Sequence, residues 1–329
     1  MTWVEVTTGS RLHFGLLCGP PSSNWHYGGI GMMIDAPSWK LRASFCDSSD
    51  DEIVASPATV QRLTGLLTHF RETVAKVPVV RIDALSETSF HSGLGSGTQL
   101  TLAAGTALLL LTGKPRPRSI SSLAESLGRS QRSAIGTFGF DYGGFIVDHG
   151  RSSGDRAARM DRIAYPEQWR MVVVTPISSE GLSGDSEEEF FGERKYLDQQ
   201  AVERCDDLIR RKIVVAIQHG DFFEFRAALR EYGTLVGQYY APAQGGVFSS
   251  PVIRELLSRL AERGIDGAVQ SSWGPSVCIP ASSQGESERI VEQIYECAPE
   301  TDVSVHIAKC LSTGATVRTA APENQRTFL

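Results

Sequence analysis

The sequence lacks the features that define several large classes of protein. Its six cysteines include no Cys-x-x-Cys pair, so neither a zinc knuckle nor a dithiol redox pair is indicated. We expect them to be free packing residues of a protein in a reducing cytoplasm. The longest apolar stretch, residues 100–111, is interrupted by Thr101, Gly105 and Thr106. Since a bilayer requires about 20 apolar residues, no membrane-spanning segment is expected.

An excess of basic residues is also missing. The chain carries 32 Lys and Arg against 38 Asp and Glu, which gives a net charge of −6. A protein that binds nucleic acid through its phosphates needs a basic surface, so we expect no nucleic-acid partner. The first residues show no basic segment followed by an apolar one, which predicts no secretory signal and a cytoplasmic protein. The expected partner is a small molecule.

An alternation of short strands and helices predicts an α+β fold. The 329 residues, 41% hydrophobic and 21% charged, suffice for about two domains with sizeable cores. In the first half, periodicity predicts strands at 4–7, 41–45, 77–82 and 143–148, and helices at 59–75, 99–111 and 121–127. Residues 27–31, with three glycines, predict a tight turn.

A polar, basic connector at 151–162 separates this unit from a second one. The second unit begins with a buried strand at 169–175. Periodicity then predicts helices at 197–218, 222–236, 250–263 and 287–297, with strands near 277–279 and 303–305. We therefore predict two α+β domains, residues 1–165 and 166–329.

The strongest local signal for function is a glycine-rich segment. Residues 91–99 read His-Ser-Gly-Leu-Gly-Ser-Gly-Thr-Gln and lead directly into a predicted helix. Glycines let backbone N–H groups face one point, and a helix N-terminus adds partial positive charge, so the segment suits pyrophosphate. Ser96 and Thr98 are candidates for holding a phosphate-bound Mg²⁺. The alternative is a loop that merely turns tightly into a packed helix.

Three segments together resemble a known superfamily. Residues 10–15 (Ser-Arg-Leu-His-Phe-Gly), residues 93–97 and the late Gly274-Pro275 match in order the three motifs of the GHMP kinases. A more specific resemblance is to the β-ribofuranosylaminobenzene 5′-phosphate synthase family. It is carried by the sequences of residues 10–16, 27–31, 93–100, 143–148 and 270–275. The resemblance covers nearly the whole chain. It implies a ribosomal-S5-domain-2-like N-terminal domain, a ferredoxin-like α/β sandwich at the C-terminus, and a homodimer.

The resemblance also implies an activity and a set of site residues. Members of this family condense phosphoribosyl pyrophosphate with 4-aminobenzoate or 4-hydroxybenzoate, with Mg²⁺, and release CO₂ and pyrophosphate in methanopterin biosynthesis. The implied phosphate-binding residues are Gly93, Leu94, Gly95, Ser96, Gly97, Thr98 and Gln99. The implied catalytic residues are Arg11, His13, Arg132 and Asp141. The implied substrate-binding residues are Ser10, Gly28, Gly29, His91, Ser271, Ser272, Trp273 and Gly274.

Several of these residues have two interpretations. His13 is a candidate base for a phenol, or a hydrogen-bonded core histidine. Arg11 or Arg132 can pair with phosphate or carboxylate in fork geometry. Asp141 either holds Mg²⁺ or a ribose hydroxyl, or is a turn residue that accepts from its own backbone. Trp273 either stacks on the benzoate ring or packs beneath its glycine turn.

One departure from the kinases separates the possible activities. Kinases of the superfamily commonly carry an Asp that assists the phosphoryl acceptor, seven residues before a Gly-Gly pair. The corresponding segment here, residues 134–136, reads Ala-Ile-Gly. Loss of such a base removes about 10²–10⁴-fold of rate, so a synthase is favoured over an ATP-dependent small-molecule kinase. A ligand sensor without catalysis is the remaining alternative.

Overall fold

The computed structural model of the chain describes residues 3–20, 26–117, 119–129, 133–150, 159–177 and 196–320. Within these ranges the strands are β1 (Trp3–Cys18), β2 (His26–Phe45), β3 (Glu52–Val54), β4 (Val80–Ser86), β5 (Phe145–Asp148), β6 (Met160–Ile163), β7 (Arg170–Pro176), β8 (Val269–Gln270), β9 (Val277–Ala281), β10 (Val303–Ala308) and β11 (Thr316–Ala320). The helices are α1 (Pro57–Thr73), α2 (Ser96–Leu111), α3 (Ser121–Ser126), α4 (Ile135–Tyr142), α5 (Gln199–Asp207), α6 (Val214–His219), α7 (Phe222–Gln244), α8 (Pro251–Glu262) and α9 (Gln284–Cys297). A π-helical segment, Leu208–Ile213, joins α5 to α6.

The first sheet is built on the long strands β1 and β2. Its order is β11, β1, β2, β4, β3, and β5 pairs with both β2 and β6. Val4 and Val6 of β1 pack with α1 and α2. Helix α2 is apolar and buried on nearly all sides, because it lies between this sheet and the helices α1 and α3. A helix that is hydrophobic all round belongs in a core, so the chain segment that follows the glycine loop is held rigidly.

The second sheet has four antiparallel strands in the order β10, β7, β9, β8. Successive side chains of a strand point to opposite faces. Met171 and Val173 of β7 accordingly join a core that contains α7, whereas Val172 and Val174 pack with α8 and α9.

Helix α7 connects the two sheets. Phe225 of α7 packs in one core with Leu12 and Phe14 of β1. The hydroxyls of Tyr232 and Tyr240 donate hydrogen bonds to backbone carbonyls of β1, at 3.2 and 3.0 Å. The predicted domain boundary at 165/166 lies between β6 and β7, but β11 returns to the first sheet and pairs with β1.

Several sequence-based predictions need correction. The turn predicted at residues 27–31 is wrong, because these residues lie within β2. Gly29 has a φ of 143° and approaches β1 so closely that a Cβ would lie 2.3 Å from the carbonyl oxygen of Gly15. The glycines thus serve an irregular strand pairing. The connector predicted at 151–162 contains the start of β6, and the helix predicted at 197–218 is interrupted by the π-helical segment.

The structure also bears on the cysteines and on the expected absence of membrane-spanning segments. All six cysteines are free, and four of them are buried. Among the helices of the described ranges, none is both long enough and apolar enough to cross a bilayer.

Candidate functional site

Three distant segments of the chain meet at the glycine loop, residues 93–97. The backbone N–H of Arg11 donates to the carbonyl oxygen of Leu94 at 2.9 Å, which ties the loop to β1. The hydroxyl of Ser271, in the turn between β8 and β9, donates to the carbonyl oxygen of Gly93 at 2.8 Å. The backbone N–H of His13 donates to the Ser271 hydroxyl oxygen at 3.1 Å. The three motifs therefore form one site.

Close backbone approach explains why glycine stands at position 93. Its φ is +79°, and a Cβ would lie 2.4 Å from the carbonyl oxygen of Ser271 and 2.8 Å from that of Gly274. The backbone N–H of Ser272 donates to the carbonyl oxygen of His13 at 2.6 Å. Any side chain at position 93 would push this turn away from the loop.

Helix α2 begins directly at the glycine loop. Gly95 is its N-cap, with a left-handed φ of 68°, a conformation that glycine adopts without strain. The N–H groups of a first helical turn have no intrahelical acceptor and carry partial positive charge. Ser96 is buried and Thr98 is half-buried in that turn. The helix start is therefore suited to an anion such as pyrophosphate.

The side chain of Arg11 lies across the glycine loop. Its Nε is 2.9 Å from the position that a Cβ on Gly95 would take, and its Cδ is 3.6 Å from the corresponding position on Gly136 of α4. Arg11 is half-buried. A fixed positive charge thus stands beside the N-terminus of α2, where it adds to the attraction for an anion.

His13 is buried and both of its ring nitrogens are engaged. The backbone N–H of Gly15 donates to Nδ1 at 3.2 Å, and Nε2 lies 3.1 Å from the hydroxyl oxygen of Ser133. Burial and, secondarily, the charge of Arg11 lower the pKa of His13 well below its ordinary value. The ring is therefore neutral at pH 7, and the Gly15 contact assigns its proton to Nε2.

A buried carboxylate, Asp148, fixes the segment that holds Ser133. Its Oδ2 accepts the backbone N–H of Ala134 at 3.1 Å, and its Oδ1 accepts that of Gly150 at 3.0 Å. The Ser133 hydroxyl is 3.5 Å from Oδ2. Sequence reasoning placed Asp148 in a strand and gave it no role. The available signal was a carboxylate at the end of an otherwise apolar strand, since a buried charge requires partners.

Two residues that the sequence analysis assigned to ligand binding, Gln99 and Ser10, are fully buried inside the fold. The Oε1 of Gln99 accepts from the Thr8 hydroxyl at 2.7 Å, and its Nε2 donates to the carbonyl oxygen of Gly136 at 2.9 Å. This side chain joins β1 to α4, and both its ends are used. The hydroxyl of Ser10 is also buried, and no described residue forms a hydrogen bond with it. Neither side chain reaches the space above the glycine loop without a rearrangement of the core.

The structure places Asp141 and Trp273 in structural contacts. Asp141 accepts from Nη2 of Arg116 at 2.5 Å and from the backbone N–H of Ile120 at 2.9 Å, so it fixes the segment that enters α3. Trp273 is 4% exposed, and its ring centroid is 4.3 Å from that of Tyr240 in α7. Of the two interpretations for Trp273, this geometry favours packing beneath the turn.

The remaining predicted residues lie around the site. Gly28 and Gly29 are buried in the pairing of β2 with β1. His91 lies on the α1 side of the glycine loop, where its Nε2 is 2.8 Å from Nη2 of Arg62. Arg132 lies outside the described residues.

Large clusters of metal-binding side chains are absent from the described ranges. No group of three or more His, Cys, Asp or Glu side chains there is arranged to hold a metal ion. Mg²⁺ in phosphate sites is commonly held by a few protein oxygens and by the phosphates themselves. The hydroxyls of Ser96 and Thr98, in the first turn of α2, fit that second kind of site.

In sequence, the chain is similar to proteins that share one name. No protein-family model matches the chain. The chain is similar to the β-ribofuranosylphenol 5′-phosphate synthase of Methanothermobacter thermautotrophicus, with 28% identity over 292 residues, covering 83% of this chain and 87% of the relative. It is also 28% identical over 313 residues to the protein of the same name from Archaeoglobus fulgidus, covering 89% of this chain and 95% of that relative.

Solved structures show the same fold at low sequence identity. Homoserine kinase from Cytophaga hutchinsonii superposes with a TM-score of 0.62 at 15% identity, covering 96% of this chain and 97% of that one. Mevalonate diphosphate decarboxylase from Staphylococcus aureus gives a TM-score of 0.62 at 13% identity, covering 97% and 98%. The predicted α+β, GHMP-kinase-like fold is therefore confirmed.

Proposed function

We propose that the chain is a decarboxylating phosphoribosyltransferase of methanopterin biosynthesis. It joins phosphoribosyl pyrophosphate to 4-hydroxybenzoate and releases CO₂ and pyrophosphate. The observation that carries this proposal is the convergence of Arg11 and the start of α2 at the glycine loop, in a chain similar to synthases named for β-ribofuranosylphenol.

The proposed reaction balances without an additional reagent. The bond between ribose C1 and the pyrophosphate oxygen breaks, and pyrophosphate leaves with the electron pair. C1 then bonds to the ring carbon that carries the carboxylate. Cleavage of the bond to the carboxylate releases CO₂ and returns an electron pair to the ring. The ring neither gains nor loses a proton in these steps, and the negative charge develops on the departing pyrophosphate, so stabilising that group is the protein's main task.

The described residues are suited to that task. Backbone N–H groups of the glycine loop and the positive end of α2 bind pyrophosphate, and the guanidinium of Arg11 adds a full charge. The hydroxyls of Ser96 and Thr98 would hold Mg²⁺. When bound, that ion neutralises charge on the leaving group.

His13 acts in this proposal as a positioning residue. Use of its ring as a base would require loss of the Gly15 or the Ser133 contact, and its pKa is already lowered by burial. Its neutral ring instead holds the Ser133 hydroxyl beside the site. The earlier hypothesis of a histidine base for the phenol is therefore not retained.

The relatives' name favours one arene over the other. It specifies a phenol, which is the product of 4-hydroxybenzoate rather than of 4-aminobenzoate. The kinase alternative lacks the acidic side chain that assists the phosphoryl acceptor in kinases, because the corresponding position is Gly136. Cδ of Arg11 and Cγ2 of Thr98 lie 3.6 and 3.7 Å from a Cβ position there.

Product analysis tests the proposal. The purified protein is incubated with Mg²⁺, phosphoribosyl pyrophosphate and each benzoate, and the products are identified by mass spectrometry. We expect a ribosylated phenol phosphate from 4-hydroxybenzoate. A reaction with ATP and alcohol acceptors runs in parallel; phosphorylated alcohol without any ribosylated arene would overturn the proposal in favour of a kinase.

A further inference from the structure

A cavity of about 230 Å³ opens on the α1 side of the glycine loop. Gly97 of the loop forms one wall, and Leu63, Leu100 and Leu127 contribute an apolar surface. Two arginines, Arg62 of α1 and Arg129 after α3, also line it. The anion site at the loop and this cavity therefore share a residue and are direct neighbours.

The two guanidinium groups converge on the space above Gly97. Nη1 of Arg62 and Nη2 of Arg129 each lie 3.9 Å from the position of a Cβ on Gly97. Among the described residues that line the cavity, none carries a carboxylate. In the ranges that the structure describes, neither arginine forms an ion pair, whereas most other arginines there do.

Neighbouring side chains hold Arg62 in place, and part of the Arg129 guanidinium is buried. Arg62 contacts His91 through Nη2, and its guanidinium lies 4.2 Å from the ring centroid of Phe90. Nε of Arg129 is buried and has no hydrogen-bond partner among the described residues. Burial, and then the charge of Arg62, lowers the pKa of Arg129. Two unneutralised like charges at an apolar wall are costly, and a bound anion would relieve that cost.

We infer that this cavity binds a phosphate monoester, the 5′-phosphate of the phosphoribosyl substrate, while the glycine loop binds the pyrophosphate. A phosphate monoester is close to a dianion at pH 7, so it neutralises both Arg62 and Arg129. The identity of the sugar rests on the proposed function, whereas the phosphate chemistry rests on the two arginines alone.

The arene carboxylate fits this cavity less well. A carboxylate carries one negative charge and leaves one guanidinium unneutralised. Decarboxylation moves the negative charge from the carboxylate into the ring. Two arginines on the carboxylate would stabilise the starting state more than the transition state, and interactions of that kind slow the chemical step.

Ligand fragments separate the two phosphate sites. Titration calorimetry measures the affinity of the full chain for ribose 5-phosphate, for pyrophosphate with Mg²⁺, and for 4-hydroxybenzoate. We expect Arg129→Gln to weaken ribose 5-phosphate binding about tenfold or more, which corresponds to loss of one charge-assisted contact, and to leave the other two affinities unchanged. Arg62→Gln provides a second test, and the exposed Arg211→Gln on the π-helical segment is the matched control.

Each other outcome has a defined meaning. Loss of pyrophosphate affinity with ribose 5-phosphate binding intact would assign the arginines to the leaving group and overturn the inference. Loss of 4-hydroxybenzoate affinity, or no change for any ligand, would also overturn it. If ribose 5-phosphate binds through Arg129 but no product forms from either benzoate, the proposed function fails and the phosphomonoester site stands.

Discussion

The hydroxyl of Ser271 donates a hydrogen bond to the carbonyl oxygen of Gly93 at 2.8 Å, although 178 positions separate the two residues. The hydroxyl oxygen of Ser271 in turn accepts the backbone N–H of His13 at 3.1 Å. One side chain from the turn beside the second sheet thus fixes both the glycine loop and β1. The geometry of the glycine loop therefore depends on the C-terminal half of the chain as well as on the loop's own residues.

Removal of the Ser271 hydroxyl should loosen the loop. Ser271→Ala leaves the buried N–H of His13 without its acceptor, and we expect a loss of about 1–3 kcal/mol in the free energy of unfolding. The KM for phosphoribosyl pyrophosphate should rise, because the loop is no longer fixed. Urea unfolding and steady-state kinetics measure the two effects. Ser287→Ala, which removes a buried hydroxyl from α9, is the control; equal kinetics for the two variants would contradict the prediction.

The stability of the protein should fall on mild acidification because of His13. Its folded-state pKa lies well below the ordinary value of 6.5, since burial disfavours the charged ring. Above pH 6.5 the ring is neutral in both the folded and the unfolded chain, so its titration does not reduce the free energy of unfolding there. Below pH 6.5 the unfolded chain takes up a proton that the folded chain excludes, so stability falls by up to about 1.4 kcal/mol per pH unit.

Urea unfolding between pH 5 and 8 measures this dependence. His13→Gln should reduce the slope below pH 6.5, whereas the exposed His219→Gln at the end of α6 should retain it. Identical slopes for the wild type and His13→Gln would show that the histidine does not carry the effect.

The buried amide of Gln99 should not tolerate a carboxylate. Gln99→Glu replaces the donor to the carbonyl oxygen of Gly136 by an acceptor and buries a charge, so we expect a loss of about 2 kcal/mol or more at pH 7. Part of that loss should be recovered at acidic pH, when the carboxyl is protonated. Gln293→Glu on the surface of α9 should change stability by less than about 0.5 kcal/mol. A stable Gln99→Glu protein would contradict the assigned contacts.

Restoring an acidic residue where kinases carry one should not create a kinase. Apart from the backbone of its own helix and its two chain neighbours, the nearest described atoms lie 3.6 Å from a Cβ position on Gly136, so Gly136→Asp should fold. Its carboxylate would stand beside Arg11 and neutralise the charge that we propose binds pyrophosphate, and synthase turnover should fall about tenfold or more. Gly136→Ala adds only a methyl and should have a milder effect. ATP-dependent phosphorylation of an alcohol by Gly136→Asp would argue instead for a kinase site.

Local patterns in the sequence predicted a large part of this architecture. Glycines before an apolar helical run predicted α2, although the helix begins at Ser96 rather than Gln99. The turn predicted at residues 27–31 was wrong because glycines also serve close strand pairing, which depends on a distant partner. Composition and periodicity contain no information about such partners.

Contacts between distant residues account for what the sequence did not reveal. Arg62 and Arg129 come from different helical regions, and in the sequence each of them is indistinguishable from an ordinary surface charge. Their convergence on Gly97 depends on how α1 and α3 pack against α2. In the same way, the contact of His13 with Ser133, and the proximity of Ser133 to Asp148, require β1, β5 and the start of α4 to be assembled.

The most direct test of the proposed function is the stoichiometry of the two leaving groups. The pure protein is given Mg²⁺, phosphoribosyl pyrophosphate and 4-hydroxybenzoate labelled in the carboxyl carbon, and labelled CO₂ and pyrophosphate are measured together. The account predicts that both are released in equal amounts, and only when both substrates are present. Pyrophosphate without labelled CO₂, or no release of either alongside turnover of ATP, would contradict it.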